Sequence, residues 1–312
     1  MYKNNFFTKI NNIMPPTDKI VWNINPTILT CCIVEPRQKD ELRGVLYNVA
    51  KIYGNDSVGL VIFHGTENEL FVREIVDDWQ NVVLHNLNVE NLLVSEYSKL
   101  LTSKSFYRYF SSTHVLIFQC DSYIFKQIPE CYFEFDYVGA PWIKSYKLLD
   151  NKLLGDEVLG DEVLRGNGCG NGGISLRNVQ TMIEVTTEEG DDSTAEDLYF
   201  DKQPMKVCFP NEKLHTAFSI EQIWCDDPCC CHQPYVAMNA RLRLLANTKK
   251  DGKKKDGKKK DGKKKDGKKK DGKKKDGKKD KEKKDRDKEK KEKEKKEKQI
   301  IREYETLLDK IV

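Results

Sequence analysis

The sequence predicts an α/β fold, a mainly parallel sheet with helices on both faces, followed by a tail that cannot build a core. Three observations carry that reading. Short β-branched apolar runs alternate with segments of helical spacing, the rhythm of a doubly covered sheet. Polar clusters fall at the carboxyl ends of those runs, where ligands sit in such sheets. Composition changes abruptly near Thr248.

Residues 26–34 (PTILTCCIV) read as a first buried strand. Residues 40–52 (DELRGVLYNVAKI) carry Leu42, Val45, Leu46, Val49 and Ile52 at helical spacing, with Asp40 placed to cap. Residues 58–63 (VGLVIF) form a second strand, with His64-Gly65-Thr66-Glu67-Asn68 at its end. Residues 81–87 read as a short strand and residues 89–110 as helical. Residues 114–118 (HVLIF) are another strand, followed at once by Gln119-Cys120-Asp121. Further on, two identical GDEVL units at 155–164 mark an insertion in a tolerant loop. A glycine-rich run follows, with five glycines between Gly166 and Gly173, then a helix over 178–186 and another element opening at Ala195-Glu196-Asp197. The division expected is an N-terminal extension (1–25), an α/β domain (26–248), a low-complexity tail (249–298) and a short amphipathic helix (299–312).

The whole-chain charge of +4 hides two opposed parts. Residues 249–298 hold 30 basic and 14 acidic side chains, whereas residues 1–248 hold 22 basic and 33 acidic. The DGKKK repeats of the tail lack apolar residues, so disorder is expected there. Beyond them Ile300, Ile301, Tyr304, Leu307, Leu308 and Ile311 regain helical spacing, suited to docking on the domain or pairing with another helix; the K/E run before them can extend that helix on docking. No apolar run approaches the length of about 18 residues that a membrane helix needs, and no stretch resembles a signal peptide, so a cytoplasmic, non-secreted protein is expected. The ten cysteines are read mostly as reduced, buried small hydrophobes. The run Cys229-Cys230-Cys231 with Cys225 and His232 lacks the separated pairs of a structural zinc site.

Several residues have the chemistry of a site. Asp121 directly follows a strand, where a carboxylate can hold a metal ion or simply cap a turn. Glu196 and Asp197 are adjacent carboxylates, suited to proton transfer or to the dipole of a helix start. His232 offers a nitrogen ligand. Gly172 and Gly173 leave open backbone beside Arg177, whose guanidinium suits phosphate or an internal ion pair. Trp142 after Pro141 is either core packing or a stacking platform.

Taken in order, Ile33-Val34-Glu35-Pro36-Arg37, Phe63 to Asn68, Ile117 to Asp121, Tyr137 to Trp142 and Gly170 to Arg177, followed by Glu196-Asp197 and Ala217 to Glu221, resemble a family of glycosyltransferase-like domains found in giant DNA viruses, fungi and algae. The Lys-Asp-Gly tail also looks like the low-complexity extensions of giant-virus proteins. The resemblance covers roughly residues 27–235. It implies a GT-A-like (Rossmann-like) fold and a nucleotide-sugar donor used with Mn²⁺ or Mg²⁺. Asp121 and His232 would be the metal ligands. Asp197, beside Glu196, would be the catalytic base. Glu35, Arg37, His64, Gly65, Asn68, Gln119, Trp142, Asn171, Gly172, Gly173 and Arg177 would line the donor site. Gln119 stands where GT-A enzymes often carry the first carboxylate of Asp-x-Asp. The acceptor would be a protein, a glycan or a small molecule. Two other readings stay open: a catalytically inactive nucleotide-sugar or glycan binder, and a protein that contacts polyanions non-specifically through its tail.

Overall fold

The computed structural model describes residues 1–142, 170–203, 205–256 and 274–312. The duplicated units at 155–164, the start of the glycine-rich run and tail residues 257–273 lie outside the described residues. In chain order the elements are α1 (Tyr2–Asn11), β1 (Leu29–Glu35), α2 (Asp40–Tyr53), β2 (Gly59–His64), α3 (Glu69–Ile75), β3 (Val83–Asn86), α4 (Val94–Leu101), α5 (Lys104–Tyr107), β4 (His114–Phe118), β5 (Ser122–Ile124), β6 (Tyr137–Ala140), β7 (Asn171–Asn178), α6 (Val179–Val185), α7 (Glu196–Asp201), α8 (Glu212–Phe218), β8 (Ser219–Ile220), β9 (Cys230–His232), α9 (Tyr235–Asp256) and α10 (Lys274–Asp309).

Six strands form one sheet in the order β3-β2-β1-β4-β7-β6. The pairs β1–β2, β2–β3 and β1–β4 are parallel, while β7 runs antiparallel to both β4 and β6. The sheet is therefore mainly parallel, as expected, and helices cover both faces. On one face Cys31, Ile33, Leu60, Ile62, Leu116 and Phe118 join α1, α2 and α10 in one core; on the other Cys32, Val34, Val61, Phe63, Val115 and Ile117 meet α5 and α6. Burial of alternate residues on opposite faces explains why these strands read as unbroken apolar runs. A second sheet, β5-β9-β8, stands next to the carboxyl end of β4.

Local chemistry explains several departures from the sequence reading. Asp40 does not cap α2: extended Lys39 is the N-cap without a side-chain bond, and Asp40 and Glu41 fill the first turn, where the helix dipole favours them. The helical stretch expected over 89–110 divides into α4 and α5. Thr102 Oγ1 donates back to the Ser98 carbonyl (2.8 Å) at the end of α4, and Ser103 caps α5 by accepting from Phe106 N (3.4 Å). The glycine-bearing segments β6 and β7, to which the sequence assigns no strand, are buried strands. The first 25 residues contribute Phe6, Ile10 and Trp22 to the core. Gly44 lets α1 cross α2 closely, since a Cβ there would run into the backbone of Ile10.

The C-terminal helix is present and begins earlier than residue 299, inside the lysine-rich segment. Glutamates spaced four residues from lysines there form Lys290–Glu294 and Glu292–Lys296 ion pairs (3.8 and 4.0 Å), which support the added turns. Its end docks on the domain: Ile300, Tyr304, Leu307, Leu308 and Ile311 are buried. Tyr2 packs edge-on against Tyr304, and Arg241 of α9 pairs with Glu303 at 2.6 Å.

Candidate active site

The antiparallel pairing of β5 with β9 sets Ser122 opposite His232, which brings Asp121 alongside that histidine. His232 Nε2 lies 3.2 Å from Asp121 Oδ1. Gln233 Nε2 donates to Asp121 Oδ2 (2.7 Å), and the Gln233 backbone N–H donates to the Asp121 carbonyl (3.0 Å). Gln233 adopts a left-handed conformation (φ 47°), which returns its side chain towards the aspartate. On the other side of the ring, His232 Nδ1 stands 3.5 Å from Glu221 Oε1. Burial pushes the Asp121 carboxyl up, but hydrogen bonds from His232 and Gln233 outweigh it and hold the group at about 2. Burial lowers His232, and the neighbouring carboxylates of Asp121 and Glu221 more than reverse this, lifting it to about 9.

The glycine pair of β7 sets two more groups one residue along the same strand from His232. Val138 pairs with Leu176 and Ala140 with Asn171, so two steps along β6 face five along β7. The extra residues form a bulge at the edge of the sheet, where bulges re-aim side chains. Asn171 Oδ1 accepts from Gly173 N (2.7 Å) within it. The two glycines then face different neighbours: a Cβ on Gly173 would run into the His232 ring, and a Cβ on Gly172 into the Glu196 carboxylate. Glu196 and Asp197 open α7. Glu196 Oε1 meets Arg177 Nη2 at 3.3 Å. Asp197 is half-buried; burial and the charge of Glu196 raise its carboxyl to about 6, against the N–H groups of Leu198 and Gly172.

Arg177 is fully buried. Its guanidinium donates to Ser175 Oγ (2.9 Å), Tyr107 OH (3.0 Å), Tyr137 OH (3.4 Å) and Glu196 Oε1, and it stacks on Tyr137 and Phe200 at 4.9 and 5.3 Å. It bears on the site by holding Glu196; a donor contact of its own, as expected from the sequence, would need it to leave the interior. Asn68 is likewise enclosed: it accepts from Gly65 N (2.8 Å) and donates to the carbonyls of Glu35 (2.8 Å) and Arg37 (3.0 Å). It ties the loops after β1 and β2 together. There Arg37 and Lys39 pair with Glu35 (2.7 and 3.2 Å), buried His64 contacts the Gly65 carbonyl (2.9 Å), and half-exposed Arg37 remains open to solvent. Gln119 donates to Tyr97 OH (3.1 Å), and Trp142 packs with the core beneath α5 and α6.

Asp121 and His232 fit a divalent ion. Donor atoms 3.2 Å apart match neighbouring corners of an octahedral shell, where bonds of about 2.1 Å set such corners about 3.0 Å apart. Buried Nδ1 of His232 lacks a close hydrogen-bond partner, and Glu221 is the carboxylate next to it. A proton on Nδ1 facing Glu221 would leave Nε2 free to bind a metal and hold the ring in that orientation. No group of three or more His, Cys, Asp or Glu side chains is gathered for a metal among the described residues. Cys230 and Cys231 are buried in β9, and burial raises both thiols, so they serve as packing.

The sequence marks no site role for Glu221, Gln233, Tyr107 or Tyr137. Glu221 ends the stretch Ala217 to Glu221 and Gln233 adjoins His232, but only the pairing of β8, β9 and β5 brings them to Asp121.

Residues 79–232 match the profile of a family described as protein of unknown function (DUF5672). No curated protein matches the chain. Among solved structures, mouse xyloside xylosyltransferase 1 in its apo form is similar at 9% identity and TM-score 0.40, over 66% of this chain and 97% of that one. S. aureus TarS 1-349 is similar at 10% identity and TM-score 0.41, over 70% of this chain and 65% of that one. The mannosyltransferase PcManGT from Pyrobaculum calidifontis, in complex with GDP-Man and Mn²⁺, is similar at 10% identity and TM-score 0.40, over 80% of this chain and 72% of that one. No helix among the described residues is long and apolar enough to cross a membrane.

Proposed function

We propose that the chain is a metal-assisted glycosyltransferase of GT-A-like fold that moves a sugar from a nucleotide-sugar donor to a hydroxyl of a protein, glycan or small acceptor. One observation carries this reading. The Asp121–His232 pair and the Glu196–Asp197 pair pack against consecutive glycines of one bulged strand, so cation-binding and proton-accepting groups stand against the same short stretch of backbone.

Asp121 and His232 would hold Mn²⁺ or Mg²⁺, and the ion, when bound, offsets the negative charge of the leaving diphosphate. Glu221 and Gln233 orient these two ligands. Gly172 and Gly173, which lack side chains, leave room for the Glu196 carboxylate and the His232 ring against the strand, so their part would be to seat these groups rather than to touch the donor. Arg37, half-exposed at the end of β1, faces solvent where a donor's polar groups can reach it. Asp197 accepts the proton of the acceptor hydroxyl as the new glycosidic bond forms. Arg177 keeps Glu196 in place, and the Glu196 charge sustains the basicity of Asp197.

The test is incubation with UDP-, GDP- and TDP-sugars and Mn²⁺, following donor hydrolysis and binding. The proposal expects at least one donor to be turned over and Asp121→Asn to lose about 100-fold or more of that rate, the scale on which single electrostatic contacts in active sites act. Absence of both binding and hydrolysis across the panel overturns it. A second reading, a non-catalytic nucleotide-sugar or glycan binder, is favoured by Gln119, whose amide is engaged by Tyr97 where a first metal carboxylate is expected. Tight donor binding without turnover supports that alternative.

A further inference from the structure

We infer that the groove between α10 and the segment 221–228 binds a saccharide ring against Trp224. It is a cavity of about 350 Å³ bordered by Trp224, Asp226, Gln299, Arg302, Glu303 and Thr306. That volume falls in the range of small-ligand sites. Recognition of a sugar needs a flat apolar surface for the C–H face of the ring and planar polar groups around it for the hydroxyls. Trp224 is half-buried, and its indole is fixed twice. Nε1 donates to Asp226 Oδ1 (2.9 Å), and the Arg241 guanidinium stacks over one face of the ring, 5.1 Å from its centroid, so a sugar would use the opposite face. Arg241 is itself buried and paired with Glu303 at 2.6 Å, so the aromatic floor is joined to the helix that forms the wall. An aromatic ring held in this way serves as a preorganised platform.

The wall is polar at helical spacing: Arg302 and Thr306 offer a guanidinium and a hydroxyl, and beside them the Gln299 amide donates to Glu303 Oε1 (3.0 Å). Both charge signs are present, which suits neutral hydroxyls better than a polyanion. The segment that carries Trp224 begins at Glu221, the carboxylate facing His232. The groove and the candidate active site therefore share one stretch of chain. Naming the saccharide as the transferase's acceptor rests on the function proposed above; binding by the groove does not.

The experiment titrates the full chain with cello-, chito-, manno- and xylotetraose, read by tryptophan fluorescence and by NMR line broadening of the sugar. At least one tetraose is expected to bind, and both Trp224→Ala and the exposed, groove-filling Thr306→Trp to weaken it tenfold or more. If no tetraose binds the wild type, or if binding survives both substitutions, the inference is overturned. A wild-type chain that turns over a nucleotide sugar yet binds none of these glycans keeps the transferase reading and loses the groove. Glycan binding without donor turnover has the opposite meaning.

Discussion

At the scale of residues, the site depends on small clearances and on one displaced titration. Gly173 lies against the His232 ring. Gly173→Ala is therefore expected to push that ring off Asp121 and to destabilise the fold by about 1–3 kcal/mol, the usual cost of overpacking. Mn²⁺ affinity, measured by the paramagnetic signal of the free ion, should fall tenfold or more; an unchanged affinity would show that the glycine does not set the metal site. Asp197 gives a prediction in pH. Its carboxyl is raised to about 6 by burial and by Glu196, so it is ionised and able to accept a proton only above that value. The logarithm of kcat/KM should climb up to pH about 6 and then level off. Asp197→Asn should remove that limb and reduce kcat by about 10²–10⁴. The folded state binds this proton more tightly than the unfolded chain, whose Asp titrates near 4. Its contribution to stability is thus complete below about pH 4 and is lost as pH rises through about 6. Asp197→Asn should accordingly raise Tm relative to the wild type at pH 7.5 and not at pH 4. These residues were legible in sequence as chemistry: a carboxylate after a strand, an acidic pair and paired glycines. Their partners were not legible, because Glu221 and Gln233 reach Asp121 only through strand pairing between segments about a hundred residues apart.

At the scale of elements, strands bounded by breakers were readable and strands containing them were not. Residues 115–118 are apolar between polar neighbours, and β4 occupies that span together with His114. In β6 and β7 glycine signals a turn, but here it accommodates backbone: a Cβ on Gly139 would strike the Asn171 carbonyl across the pair. Helix α10 shows a related limit. Its apolar spacing at 300–311 announced a helix, while its role as a wall of the core depends on where α1 and α9 lie. Leu307 is buried in that wall and Glu305 is exposed. Leu307→Ala should cost about 2–5 kcal/mol, as for other buried leucines. Glu305→Ala should stay within about 0.5 kcal/mol. Denaturant unfolding of the full chain decides between this and a loosely attached helix, for which the two substitutions would be equal. The hydroxyl of Tyr123 donates to the Lys310 carbonyl (3.2 Å) and accepts from Val312 N (3.3 Å). The end of α10 is thereby fastened to β5, two residues beyond Asp121.

At the scale of the whole molecule, the lysine-rich stretch runs between two helices, and both are attached to the domain. Arg241 on α9 pairs with Glu303 on α10, and Lys9 on α1 pairs with Asp309 at 3.2 Å. Cutting the chain after Thr248 would therefore remove Ile300, Tyr304, Leu307 and Leu308 from the core together with the charge, and loss of polyanion binding would report only unfolding. The charge has to be removed without cutting. Exchanging the ten lysines between residues 257 and 273 for serine takes the net charge from +4 to −6 and leaves α10 intact. Residues 1–248 carry 33 acidic against 22 basic side chains and repel phosphates, so any attraction for DNA or heparin must come from the lysine-rich stretch. Non-specific phosphate contacts release counterions and weaken steeply with salt. The wild type should accordingly be retained on heparin in 50 mM salt and released at about 200 mM, and the serine variant should pass through in 50 mM with an unaltered Tm. Equal retention of the two proteins at an unaltered Tm would mean that the aspartates spaced among the lysines cancel the field and that the stretch acts as a spacer joining two docked helices.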